Sequence, residues 1–158
     1  MRKGKQLNRN QRIMLSSLVC DEETIKVLKS IGDLKALGID GYGSKFFKHS
    51  WKMVEEDVMK TVKGFFERGE LDYRFNKTLV TLIPKHDKSS NIKEYRLISS
   101  RTTMYNIISK VMSNRINKVL GSIISKNQAA FVPGQKIHDH VLIDYELVRG
   151  YRKKMGYA

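Results

Sequence analysis

Residues 76–100, NKTLVTLIPKHDKSSNIKEYRLISS, decide how the chain is read. The run Thr78, Leu79, Val80, Thr81, Leu82, Ile83 holds side chains that suit a pleated, largely buried strand. Pro84 closes it, because proline has no N–H to donate to a ladder. Residues 86–91 are polar and mark a turn. Residues 94–98 resume the alternation, which sets Glu94, Arg96 and Ile98 on one face and Tyr95 and Leu97 on the other. The predicted unit is a β-hairpin with Lys85 at the tip of its first strand and Arg96 within its second. A compact ammonium and a planar guanidinium held on a short ribbon can grip phosphate oxygens. The plainer alternative is a surface hairpin with solvated charges, since most surface Lys and Arg bind nothing in particular.

The segments around the hairpin read as helices. Over residues 102–120, Met104, Ile107, Ile108, Val111, Met112, Ile116, Val119 and Leu120 keep a 3.6-residue period. Ser99, Ser100 or Thr102 can cap this helix and Gly121 can close it. Lys110, Arg115 and Lys118 fall off its apolar stripe. Residues 44–68 repeat apolar side chains at 46, 47, 51, 54, 58, 62, 65 and 66, in one long helix or two, ended by Gly69. At this spacing Trp51, Phe65 and Phe66 read as core rather than as base-stacking platforms. Asp21 is the expected cap of a helix with Glu22 and Glu23 in its first turn, Ile25, Leu28 and Ile31 on its apolar stripe, and Gly32 at its end. Between these helices, Gly32, Gly38, Gly41 and Gly43 mark a loop. Its spacing fits neither phosphate-binding glycine motif, so it is a weak phosphate signal. Residues 139–151 form a last helix with Ile137, Val141, Tyr145 and Val148 on one face.

Charge sets the class of partner. The chain has 158 residues, with 30 Lys and Arg against 16 Asp and Glu, for a net charge of +14. Such a field favours a polyanion, and nucleic acid is the first candidate. No acid occurs between Glu94 and Asp139, where there are seven bases: Arg96, Arg101, Lys110, Arg115, Lys118, Lys126 and Lys136. Solubilising faces would look the same, since phosphate contacts need only cations at reachable spacing. The lone cysteine, Cys20, excludes an internal disulfide and a cysteine metal site. An anionic membrane surface is the lesser candidate, because no amphipathic helix stands apart from a core, and no membrane partner is expected. No run approaches the ~18 apolar residues of a membrane span.

The order of short motifs resembles the reverse transcriptase domain of non-LTR (LINE-type) retrotransposons of plants. The carrying residues are LIPK and YR-x-IS of the hairpin, KALGIDG with FFK at residues 35–48, YNIISKV at 105–111, NQAAFVPGQKI at 127–137 and HDHVLIDYELVRGY at 138–151. Leu37 and Leu97 stand where that family has Pro, Ala130 where it has Gly, and Gln135 where it has Arg. The resemblance covers roughly residues 21–156. The resemblance implies a helix-rich α+β fold, a partial reverse-transcriptase fingers and palm with one β-hairpin packed on amphipathic helices. Residues 1–20 would be a basic, disordered N-terminal segment and residues 21–158 the partial domain. It implies that Lys85 and Arg96 meet the triphosphate of an incoming nucleotide. It also implies contacts to template at Arg101, Lys110, Gln128, Phe131 and Gln135. RNA or DNA template–primer and dNTP are the implied partners, and the nucleus the implied location.

Polymerisation needs carboxylates holding two divalent ions ~3.5–4 Å apart. In the family these Asp residues, which bind Mg2+, follow the segment matched here. The chain is therefore expected to hold no catalytic residue, metal site or cofactor and to be inactive alone. Asp139, Asp144 and Glu146, or Glu55, Glu56 and Asp57, are helical neighbours rather than facing carboxylates. Two other readings stay open: a non-catalytic basic nucleic-acid-binding module, and a retroelement remnant without function.

Overall fold

Regular apolar spacing and local caps set the elements of the chain. In a computed structural model, which describes residues 5–124 and 137–154, they are α1 (Arg9–Ser16), α2 (Asp21–Ser30), α3 (Ser44–His49), α4 (Trp51–Arg68), β1 (Thr78–Pro84), β2 (Tyr95–Arg101), α5 (Thr103–Ile123) and α6 (Ile137–Lys154). A 3-10 turn, Ile92–Glu94, leads into β2. The class is helix-rich α+β with an antiparallel hairpin, as the residue pattern predicts. The chain divides into two units: residues 17–113, and residues up to 16 together with those from 114 on.

The core of the first unit is built from helix stripes. Val27, Leu28 and Ile31, Phe47, Val58 and Val62, and Met104, Ile107, Ile108 and Val111 form one buried cluster with Val19. Burying a side chain of this size removes it from water at a gain of roughly 1.5–3 kcal/mol. Trp51, Phe65 and Phe66 pack against the cluster, as predicted for core aromatics. α2 departs from its predicted stripe: it buries Thr24, Val27 and Leu28, while Ile25 stays half-buried. Asp21 is the first residue of α2 and not its cap, a position taken by Cys20 without a side-chain bond. Its carboxylate instead meets Lys63 at 2.6 Å. The helical run 44–68 is broken at Ser50 into α3 and α4. α4 ends as predicted: Gly69 adopts a left-handed φ of 74° and its N–H reaches Phe65 O at 2.8 Å.

The glycine loop has a packing purpose. A Cβ on Gly38 would lie 2.7 Å from both Cα and N of Thr102 and 2.9 Å from Arg101 C, so only glycine lets the loop pass. Thr103 Oγ1 donates to Tyr42 O at 2.9 Å and Thr102 Oγ1 to Phe75 O at 3.0 Å. The turn from β2 into α5 is thus fastened to the loop before α3 and to the lead-in of β1. Thr102 also caps α5, accepting from Tyr105 N at 3.2 Å.

The ribbon itself differs from expectation in burial. Every residue of β1 is exposed, and in β2 only Ser100 is buried. Leu79, Val80, Leu82, Ile83, Leu97 and Ile98 all lie at 40% exposure or more. β-branched and apolar residues favour the extended backbone, but they do not supply a layer to cover it. The expected burial of the first strand therefore does not hold for this chain.

In the second unit, α1 occupies part of the segment expected to be disordered. A reciprocal cap starts it: Gln11 N donates to Asn8 Oδ1 at 2.8 Å and Asn8 N to Gln11 Oε1 at 2.9 Å. Gln11 Nε2 donates to Ser122 Oγ at 2.8 Å. Arg115, read from the sequence as lying off the apolar stripe, is buried, and its guanidinium donates to Leu15 O at 3.4 Å. α5 runs through Gly121 to Ile123 rather than stopping there. α6 covers the predicted helix, with Val141, Tyr145 and Val148 exposed. Among the described residues no helix is long and apolar enough to cross a membrane.

Candidate phosphate-binding ribbon

Pairing fixes where the two hairpin cations sit. The register runs from Thr78 opposite Arg101 to Ile83 opposite Arg96 and Pro84 opposite Tyr95. It continues one step beyond β1, where Lys85 N donates to Glu94 O at 2.8 Å. Cross-strand partners share a face and neighbours alternate. Ile83 and Arg96 therefore share a face, and Lys85, one residue past β1, continues that face by alternation as a diagonal neighbour of Arg96. Glu94 belongs to the 3-10 turn, where the alternation of a strand does not apply. Arg96 alternates with Tyr95 and Leu97 within β2 as predicted, whereas Glu94, grouped with Arg96 by the residue pattern, lies in the turn before the strand because its N–H closes onto Asn91 O at 2.9 Å.

An acid beside these charges could cancel them, and Glu94, bonded through its carbonyl to Lys85 N, is the near one. Its carboxylate is turned instead to the loop, where Oε2 accepts from Ser90 N at 2.7 Å and Asn91 N at 3.3 Å. Asn91 and Glu94 complete a capping box around the 3-10 turn. Ser89 Oγ donates to His86 O at 2.7 Å, and Tyr95 Oη to Ser89 O at 3.2 Å. The tip is thus a small loop held by side-chain bonds to its own backbone. Lys85 Nζ donates to Lys93 O at 2.7 Å, which uses one of three ammonium protons and leaves the charge unneutralised. Among the described residues Arg96 makes no side-chain hydrogen bond or ion pair, and it is exposed. Two uncompensated cations on one face of a ribbon can hold a polyphosphate or a strand backbone by charge-assisted bonds.

The other predicted positions are spread out. Arg101 ends β2 on the opposite face by alternation, with its guanidinium 4.2 Å from the centroid of the Tyr105 ring. Lys110 lies on α5, where Nζ donates to Ser30 O at 3.2 Å. Gln128, Phe131 and Gln135 lie outside the described residues. Lys35, which the sequence reading did not single out, lines the same pocket as Lys110. Nothing in the sequence joins them, because 75 positions separate the two in the chain.

No three His, Cys, Asp or Glu side chains come together to hold a metal among the described residues. Glu55, Glu56 and Asp57 are exposed on α4, and Glu146 pairs with Arg149 at 3.6 Å on α6. These donors do not fit a Mg2+ pair, and no metal-dependent step is assigned to them. Beside the hairpin, Asp72 is held well below the usual carboxylate range, at about 2, by side-chain and then backbone hydrogen bonds from Arg74. Both of its oxygens accept from that guanidinium, at 2.7–3.1 Å.

No family model matches the chain. The chain is similar to the "Transposon TX1 uncharacterized 149 kDa protein" of Xenopus laevis, at 30% identity over 132 residues. The matched segment is 84% of this chain and 10% of that protein, so the chain spans about a tenth of its relative's length. The similarity supports a transposon origin for the chain.

Proposed function

We propose that the chain is the fingers portion, with the start of the palm, of an RNA-directed DNA polymerase from a non-LTR (LINE-type) retrotransposon. In this reading it binds template–primer, and Lys85 and Arg96 grip the triphosphate of the incoming nucleotide. The observation that carries it is the shared ribbon face of those two cations, with Glu94 diverted to the loop. Similarity to a transposon protein and the order of the motifs support the same reading. A net charge of +14 supports the broader part of it, a strand of nucleic acid as partner. The activity assigned to the described residues is binding. The plant assignment rests on motif wording alone, since the transposon relative comes from Xenopus laevis.

A fluorescent deoxynucleoside triphosphate, titrated with the chain in the presence of an RNA template annealed to a DNA primer, tests the assignment. Charge-assisted hydrogen bonds contribute ~1.5–3 kcal/mol, so Arg96→Gln should weaken triphosphate binding by about tenfold or more. Equal affinities for wild type and variant would remove the triphosphate role. Salt-sensitive RNA binding that persists in that case would instead favour a non-catalytic nucleic-acid-binding module.

A further inference from the structure

A second cationic place lies away from the ribbon, between the end of α2 and one face of α5. Asn106, Ser109, Lys110 and Ser113 are spaced i, i+3, i+4 and i+7, which aligns them along one side of that helix. With Ser30 and Lys35 they line a pocket of about 290 Å³. Among the described residues no carboxylate lines it. Asp33, close by in the sequence, is engaged by Lys48 at 2.6 Å. Lys35 Nζ donates to Asn106 Oδ1 at 3.1 Å and Lys110 Nζ to Ser30 O at 3.2 Å. Both acceptors are uncharged, so two like charges line one small pocket with no group of opposite sign among the described lining residues.

Capping of α2 explains part of this arrangement. A helix C-terminus attracts cations, and Lys110 and Lys48 both reach carbonyls there, at Ser30 and Ile31. It does not explain Lys35, which reaches no helix carbonyl and is exposed. Each ammonium keeps further donor protons beyond its one bond, and the Ser109 and Ser113 hydroxyls add donors on the same side. The volume lies just below the range for ligand pockets, ~300–1,000 Å³, and suits one phosphate group rather than a whole nucleotide.

We propose that this pocket seats a single phosphodiester of a bound nucleic-acid strand, held between Lys35 and Lys110. The proposal rests on the nucleic-acid reading above and adds to it a defined backbone contact remote from the triphosphate grip. One phosphate shared by two lysines has a signature that two separate surface lysines lack. Removing either lysine loses most of what removing both loses.

The test uses the full chain and a fluorescently labelled single-stranded RNA oligonucleotide, with anisotropy followed across a salt series. Lys35→Gln, Lys110→Gln and the double variant should each lower the slope of log K against log salt by about 0.7, the value for one single-strand phosphate contact. Between 50 and 200 mM salt that makes the loss of affinity roughly 2.5-fold shallower. Circular dichroism checks folding. Should Lys110→Gln disturb the end of α2, Lys35→Gln carries the test, because Lys35 makes no such cap. An unchanged slope in Lys35→Gln overturns the proposal, and so does a double variant that loses twice what each single does. If a Lys85→Gln/Arg96→Gln variant still loses affinity while the pocket variants do not, only the pocket fails. If wild type binds no RNA at low salt, the nucleic-acid reading fails with it. A free nucleoside triphosphate is the second arm. Pocket variants should bind it as wild type does, and a loss there without a loss for RNA would overturn the assignment to a strand.

Discussion

The helical core and the ribbon of residues 78–101 belong to the same unit and are stabilised in opposite ways. In the core, Val62, Ile107 and Val111 are wholly removed from water. In the ribbon every residue of β1 is exposed, and its apolar side chains gain little from burial. Pairing within the ribbon, the ordered tip and the fastening at Thr102 and Thr103 hold it in place. A two-stranded ribbon alone is marginal in water, so the fastening matters. The difference teaches where function can sit. The core fixes the base of the ribbon, and the ribbon carries Lys85 and Arg96 outward with their charge uncompensated.

The sharpest break of this comparison comes from truncation in the two regions. Ile107→Ala opens a cavity in a fully buried site and should cost ~2–5 kcal/mol by denaturant unfolding. Val80→Ala, more than half exposed on β1, should stay within about 0.5 kcal/mol. Similar costs at both positions would show that the ribbon is covered after all.

Next in size is the junction that joins core to ribbon. Gly38→Ala forces a Cβ against the Thr102 backbone, which cannot yield as a flexible side chain would. It should cost ~1–3 kcal/mol and loosen the base of the ribbon. Gly121→Ala is the control, since a Cβ there meets nothing within 4 Å and a helix interior favours alanine by ~1 kcal/mol. If Gly38→Ala were as harmless, the close approach at Thr102 would not be what holds the loop.

The smallest effect concerns the lead-in to β1. Asp72 has its carboxyl lowered to about 2 from an ordinary value of 3.8, chiefly by the Arg74 hydrogen bonds. A lowered folded value means that the pair stabilises above the ordinary carboxylate range. That contribution disappears as pH falls from about 4 towards 2. Both groups are open to solvent, so the contribution to stability is small. An NMR titration should find the Asp72 midpoint near 2, and Arg74→Ala should return it to the ordinary range. No change on removing Arg74 would separate the turn from the ion pair.

Much of this arrangement was legible in the residues. Alternation over residues 95–98 agrees with the strand that pairs Arg96 with Ile83, because a period of two leaves no other choice once pairing is set, while Glu94 falls in the turn before it. Gly69 marked the end of α4, since its left-handed φ is a conformation that other residues avoid. The exposure of β1 was not legible. Residue type reports a preference for extended backbone and is silent on what lies over it. α1 was missed although Asn8 and Gln11 carry a capping signal three residues apart, which the run of basic residues obscured. Arg115 looked like a surface cation because the helical period alone does not say which neighbour will cover a position. Lys35 opens the KALGIDG motif, but its link to Lys110 was not legible, as only folding brings it to the polar side of α5.

The most direct measurement is a double-mutant cycle on triphosphate binding with Lys85→Gln, Arg96→Gln and both together. Residues that share one bound group couple by ~0.5–3 kcal/mol. The account predicts coupling in that range, with the second substitution costing much less than the first. Strictly additive losses, or none, would mean that the two cations do not hold the same phosphates.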